Sequence, residues 1–258
     1  MKALIAISSC GDFEANGNNQ AMRDTWLKDV NIFTNLDYKF FFGVGQNAPQ
    51  LEDSVLLPDV DDGYGSLTYK TRASLRWAHE RGYTHVFRCF PDTFVSVDRL
   101  MACHPHEFDF YGDFRSEEGG RPDGGTGKQM PTLQEAQNYA SGGAGYWLSR
   151  RAFEYLLDAP ILGVWRDELM TYVEDLWVGN ILGKCGTVLR YFDDTRFCNH
   201  GSRMWPNLRN DQITAHLSCP ERFDKAFMYA AHAAFSMKLT MEEVERLRIS
   251  FLRDIPKS

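Results

Sequence analysis

The sequence predicts an α/β fold, and three observations carry that expectation. The chain opens on a short apolar run, Ala3 to Ser8 (ALIAIS), stopped by Ser9, Cys10 and Gly11. Six such residues suit a buried parallel strand better than a helix. Farther on, the aromatic or β-branched runs Tyr38 to Val44 (YKFFFGV) and His85 to Cys89 (HVFRC) stand on either side of Leu67 to Arg81, where Leu67, Leu75 and Ala78 mark an apolar helical stripe. Strand, helix and strand in alternation mean a sheet covered by helices. Finally, 258 residues with 43% hydrophobic and 14% aromatic content can bury a large core, which excludes a disordered or low-complexity chain.

Taken in order, Ala3 to Ser8 begins the central sheet. Gly82 sits where the helix ending near Arg81 must stop, and Val97 to Ala102 starts another short helix. Ser116 to Lys128 (SEEGGRPDGGTGK) holds five glycines and a proline in thirteen residues, so it is expected as a surface loop of the kind that acts as a lid. Tyr139 to Ser149 leads into a helix over Arg150 to Leu157, with Phe153, Leu156 and Leu157 on one stripe. Cys219 to Met237 and Met241 to Arg253 read as two amphipathic helices joined near Leu239 and Thr240, with Thr240 as N-cap and Glu243 completing a capping box. Neither an internal repeat nor a dividing linker is found. The expectation is one domain over residues 1–218, with C-terminal helices over 219–258 packed on it as an appendage.

Charge and cysteine usage narrow the function classes. Lys and Arg number 28 against 35 Asp and Glu, a net charge of −7 that disfavours nucleic acid unless a basic face is segregated. Arg203 with Arg209, or Arg246 with Arg248 and Arg253, are the segments that could form one. No uncharged apolar run approaches the ~18–20 residues of a spanning helix, and MKALIAISSCGD reads as the start of a soluble protein without a signal peptide. Cys10, Cys89, Cys103, Cys185, Cys198 and Cys219 are scattered without a CxxC pair, which fits reduced thiols and a cytoplasmic setting.

Several segments carry chemistry. Asp92, in Arg88-Cys89-Phe90-Pro91-Asp92-Thr93, follows directly on a predicted strand. A carboxylate there can hold a divalent ion that also touches a diphosphate, or it can cap the next helix. Asp59, Asp61 and Asp62 precede the helix bearing Lys70 and Arg72; they form either a solvated acidic loop or a place where helix N–H groups and a lysine receive a nucleotide. Arg23 and Trp26 offer a phosphate contact and packing, which a salt bridge and a core tryptophan would equally explain. Three glycines within Gly142 to Gly145 imply positive φ or close approach of another group to the backbone, which a sugar or diphosphate would supply. Glu174 and Asp175 open a helical pattern: a carboxylate there can serve as a general base or can complement the helix dipole. Of the histidines, His216 and His200 are the candidates to complete a mixed N/O metal site.

The joint order of RDTW (23–26), FFFGVG (40–45), DVDDGYGSLTYKT (59–71), FPDTFV (90–95), YASGGAGYWLSRRAF (139–153) and VEDLWVGNIL (173–182) resembles glycosyltransferase family 31, the group that includes Fringe and the β-1,3-galactosyl- and N-acetylglucosaminyltransferases. The resemblance runs from about Ala3 to His216. It implies a GT-A fold, a Rossmann-like central sheet flanked by helices, a UDP-sugar donor, a divalent cation (usually Mn²⁺) and inversion at the anomeric carbon. Asp92 looks like the last acid of the family's Asp-Asp-Asp metal motif, with Phe90 and Pro91 where the first two acids usually stand. Asp175 matches the catalytic base of the Glu-Asp-Val motif, with Leu176 in place of valine. His216 looks like the late histidine of the metal site, with His200 as the lesser candidate. Arg23, Asp62, Tyr64 and Lys70 match positions near the nucleotide, and Gly142 and Gly143 the turn beside donor and acceptor.

The resemblance therefore implies an inverting, metal-dependent transferase that moves a sugar to a hydroxyl of a glycan or glycoprotein. Two other readings remain open on the sequence: transfer to a hydroxymethylated DNA base in a phage or virus, and a non-catalytic sugar-binding relative, the latter suggested by the absent acids at Phe90 and Pro91.

Overall fold

The computed structural model describes residues 1–45, 49–115, 139–161, 174–185, 188–198, 211–217 and 225–237. In chain order the elements are β1 (Ala3–Ser8), α1 (Gly11–Ala15), α2 (Asn18–Asp24), α3 (Leu27–Val30), β2 (Leu36–Val44), β3 (Ser54–Asp61), a 3-10 turn (Tyr64–Ser66), α4 (Leu67–Glu80), β4 (His85–Cys89), β5 (Thr93–Val95), α5 (Val97–Ala102), a second 3-10 turn (Pro105–Glu107) and β6 (Phe110–Gly112). They continue as β7 (Phe114–Arg115), β8 (Tyr139–Ala140), β9 (Tyr146–Ser149), α6 (Arg150–Asp158), α7 (Glu174–Gly183), β10 (Tyr191–Asp193), β11 (Phe197–Cys198), β12 (Thr214–His216) and α8 (Lys225–Met237). The lid loop expected at 116–128, His200, Arg203, Arg209 and the second C-terminal helix with its capping box lie outside the described residues.

A seven-stranded sheet runs in the order β10-β6-β9-β4-β1-β2-β3. β1 pairs in parallel with β2 and β4, and β2 with β3; β9 runs antiparallel to both β4 and β6. β1 is central and buried throughout because its side chains alternate between two cores. Ala3, Ile5 and Ile7 join Met22, Trp26, Leu27, Leu100 and Met228 on one face; Leu4 and Ala6 join Leu75, Phe153, Leu156 and Val178 on the other. Each large aliphatic side chain so buried contributes about 1.5–3 kcal/mol. The α/β architecture expected from the sequence is therefore the observed one, with helices on both faces.

Most predicted elements fall where the periodicity put them. Gly82 has φ +73°, the left-handed conformation that ends α4. Residues 54–61 differ: the stretch read only as acids preceding a helix is the edge strand β3, and Pro58 within it is tolerated because an edge strand leaves one row of N–H positions unpaired. α8 packs on β5 and α2, burying Met228 and Ala231 in the first core. Among the described residues no helix is long and apolar enough to cross a membrane.

Candidate active site

The strand order fixes where a ligand crevice belongs. The chain moves from β1 outward through β2 and β3, then returns to place β4 on the other side of β1. At such a reversal the loops leaving the carboxyl ends of β1 and β4 diverge and leave a crevice between them.

On the β1 side, Asp62 leaves the end of β3. Its Oδ2 accepts the Gly11 N–H at 2.6 Å, and its Oδ1 accepts from the Gly43 N–H at 2.8 Å and Lys70 Nζ at 2.9 Å. Lys70 is buried and also donates to the carbonyl of Ser9 at 2.5 Å. The acidic loop is thus not merely solvated, because Asp62 clasps the segment after β1 to the end of β2. Lys70 holds that clasp from below. Asp62 lines an open cleft of about 740 Å³ with Val44, Gly45, Gly63, Ser66 and Tyr69, and Tyr64 stands exposed on the bordering 3-10 turn.

Arg23 does not line this cleft. Its guanidinium bonds Glu14 at 2.9 Å and Asp53 at 2.8 Å and lies over the Phe40 ring, while Trp26 is buried in the core. Glu14 accepts from Asn19, which accepts from the Ser9 hydroxyl, so a polar chain links Arg23 to the end of β1. The salt-bridge explanation of Arg23 is the one its contacts follow.

On the β4 side, Asp92 lies in the turn between β4 and β5. It does not cap α5, whose N-cap is Ser96. β12 pairs antiparallel with β5, placing His216 opposite Thr93. The Leu217 N–H donates to the Asp92 carbonyl at 2.8 Å, and His216 Nε2 lies 3.2 Å from Asp92 Oδ2. Asp92 Oδ1 is buried with no hydrogen-bond partner among the described residues. A buried carboxylate oxygen left unmatched costs free energy, and a cation is the partner that would remove that cost.

The turn Gly142–Gly145 joins this pair to the third candidate. The Gly142 N–H donates to Asp175 Oδ2 at 3.0 Å, and Thr93 Oγ1 donates to the Gly143 carbonyl at 3.0 Å. A Cβ on Gly143 would stand 2.5 Å from His216 Nδ1, so the imidazole packs on bare backbone. Positive φ and close approach occur at different residues: Gly145 has φ +78°, and the group that approaches Gly143 is the His216 imidazole, where a sugar or diphosphate was expected. Asp92, His216 and Asp175 therefore meet around one turn.

Sequence reasoning missed the group beneath that turn. Arg88, fully buried on β4, pairs with buried Glu174 at 3.1 Å and donates to the Gly142 carbonyl at 3.3 Å. Its guanidinium lies 3.6 Å from the Phe90 ring centroid, and the Tyr146 hydroxyl donates to Glu174. Burial pushes the Glu174 carboxyl up while Arg88 pulls it down, and burial followed by the Glu174 charge raises the Tyr146 hydroxyl well above its usual range. An arginine inside the apolar run HVFRC was the available signal, since a buried guanidinium requires an acid.

No family model matches the sequence. A solved glycosyltransferase involved in the glycosylation of the major capsid of PBCV-1 aligns with 94% of this chain and 99% of its own at TM-score 0.47 and 12% identity. Inositol-1-phosphate CTP transferase from T. maritima aligns with 99% and 98% at TM-score 0.43 and 10% identity. In sequence, the chain is 28% identical to mouse β-1,3-galactosyltransferase 6, an alignment covering 98% of this chain and 80% of that enzyme.

Proposed function

We propose that the chain is an inverting glycosyltransferase of the GT-A, family 31 kind, taking a UDP-sugar donor and transferring the sugar to an acceptor hydroxyl of a glycan or glycoprotein. The observation that carries this reading is the Gly142–Gly143 turn, which touches Asp175 through one residue and His216 through the next. On this reading Asp175 is the base and Asp92 with His216 the cation-binding pair, set around one turn. Similarity to the mouse galactosyltransferase along nearly the whole chain supports the same reading.

Asp92 and His216 fit a divalent cation: the unmatched Oδ1 and the neighbouring imidazole are a mixed N/O donor set suited to Mn²⁺. When bound, such an ion would neutralise the charge of the departing diphosphate. Asp62, steadied by Lys70, supplies the acidic wall of the nucleotide cleft. Asp175 is aimed by the Gly142 and Leu176 N–H groups and keeps a lone pair on each oxygen for an acceptor hydroxyl. It takes that proton as the oxygen attacks the anomeric carbon opposite the leaving phosphate, and inversion follows from the geometry.

Asp175→Asn keeps the size and the Gly142 contact but cannot accept a proton. Donor binding is expected to stay within about twofold while transfer falls by at least ~100-fold, the span of general-base catalysis. Full transfer by this variant, measured with a panel of UDP-sugars and acceptors, would remove Asp175 from the role.

A further inference from the structure

Far from the crevice, the turn between α5 and β6 gathers three metal-ligating side chains. His104, His106 and Glu107 are exposed, and one ligand atom from each lies within 4.8 Å of the others. We propose that this turn is a second cation site, specific for a borderline divalent ion such as Zn²⁺.

The backbone is shaped for it. His104 has φ +54°, the one non-glycine residue in the left-handed region among the described residues, and Pro105 beside it is buried. The Glu107 N–H closes back on the His104 carbonyl at 3.1 Å. On this turn, anchored by the buried proline, the two rings stand 5.8 Å apart at 82° rather than stacked. Among the described residues, no hydrogen bond or ion pair to another residue engages the three side chains.

Two imidazoles and a carboxylate, with water completing a tetrahedron, match the donor preference of Zn²⁺. Donors at Zn²⁺ bond lengths stand roughly 3.3–3.5 Å apart, so the ring and carboxylate rotamers need only close inward, which exposed side chains do without repacking. Position separates this site from the first. The turn precedes β6, at the edge where β4 begins, whereas Asp92 follows the end of β4; the five-residue strand between those edges is about 16 Å long.

The test is calorimetric titration of Zn²⁺ into the Asp92→Asn variant, in which the crevice pair is disabled. One equivalent is expected to bind, with affinity falling more than about tenfold on adding His104→Ala and His106→Ala. Titration with Co²⁺ should give a tetrahedral visible band that the same pair of substitutions abolishes. Absence of binding, or binding unchanged by removing both imidazoles, overturns the site. Neither result bears on transferase activity, which the His106→Ala variant should retain in Mn²⁺.

Discussion

Arg88 and Glu174 set the energetics of the crevice floor although neither is exposed to it. A buried guanidinium with Nε unmatched by any hydrogen bond among the described residues depends on the Glu174 charge and on the faces of Phe90 and Tyr146. Removing one partner leaves the other charged and buried, whereas removing both discards the desolvation cost as well. Arg88→Met alone is therefore expected to destabilise by about 3–5 kcal/mol, and combination with Glu174→Gln to recover at least about 1 kcal/mol of that. Urea denaturation of the two single variants and the double variant measures the coupling; strict additivity would mean that the pair carries no shared charge. The arginine was readable on a predicted strand, but Glu174 lies far along the chain, and only the folded sheet brings the two together.

At the scale of elements, local pattern and long-range pairing divide what the sequence discloses. α4 and β4 were legible because helical spacing and a compact run centred on Val86 and Phe87 are local signals. β3 was not, since an edge strand with Pro58 and alternating exposed acids looks like a loop until β2 pairs with it. The glycine turn shows the division most clearly. Its need for close approach was visible, yet the approaching group, His216 on β12, was not identifiable from spacing. Gly143→Ala drives a methyl into the imidazole and should weaken Mn²⁺ activation by roughly 10–100-fold, as other changes to ligand orientation do. Gly142→Ala, whose methyl would first meet the Arg88 guanidinium end at 3.1 Å, should instead leave the Mn²⁺ requirement near its original value and lower thermal stability. Activation curves for the two variants separate these outcomes; equal weakening of Mn²⁺ activation in both would show that the turn acts as a single unit rather than residue by residue.

For the whole molecule, the proposed donor site would draw on two sides of the central strand. Asp62 lies in the loop after β3 and Lys70 on α4, both reaching the end of β1, and Asp92 lies in the turn after β4. A UDP-sugar bridging them with a cation would tie together the two sides of the sheet that flank β1, and any ligand that binds the folded chain alone raises its stability by mass action. At a hundred times its dissociation constant the gain is about 2.7 kcal/mol, which for a chain of this size corresponds to roughly 5–11 °C in melting temperature. UDP with Mn²⁺ is expected to produce a shift of that order, and UDP with chelator a much smaller one. In Asp92→Asn the two conditions should converge, because the carboxylate proposed to hold the cation is gone while Asp62 remains. Equal stabilisation of the unmodified chain by UDP with and without Mn²⁺ would show that the altered Phe90-Pro91-Asp92 segment has given up its cation, and that the diphosphate charge is met by protein groups alone.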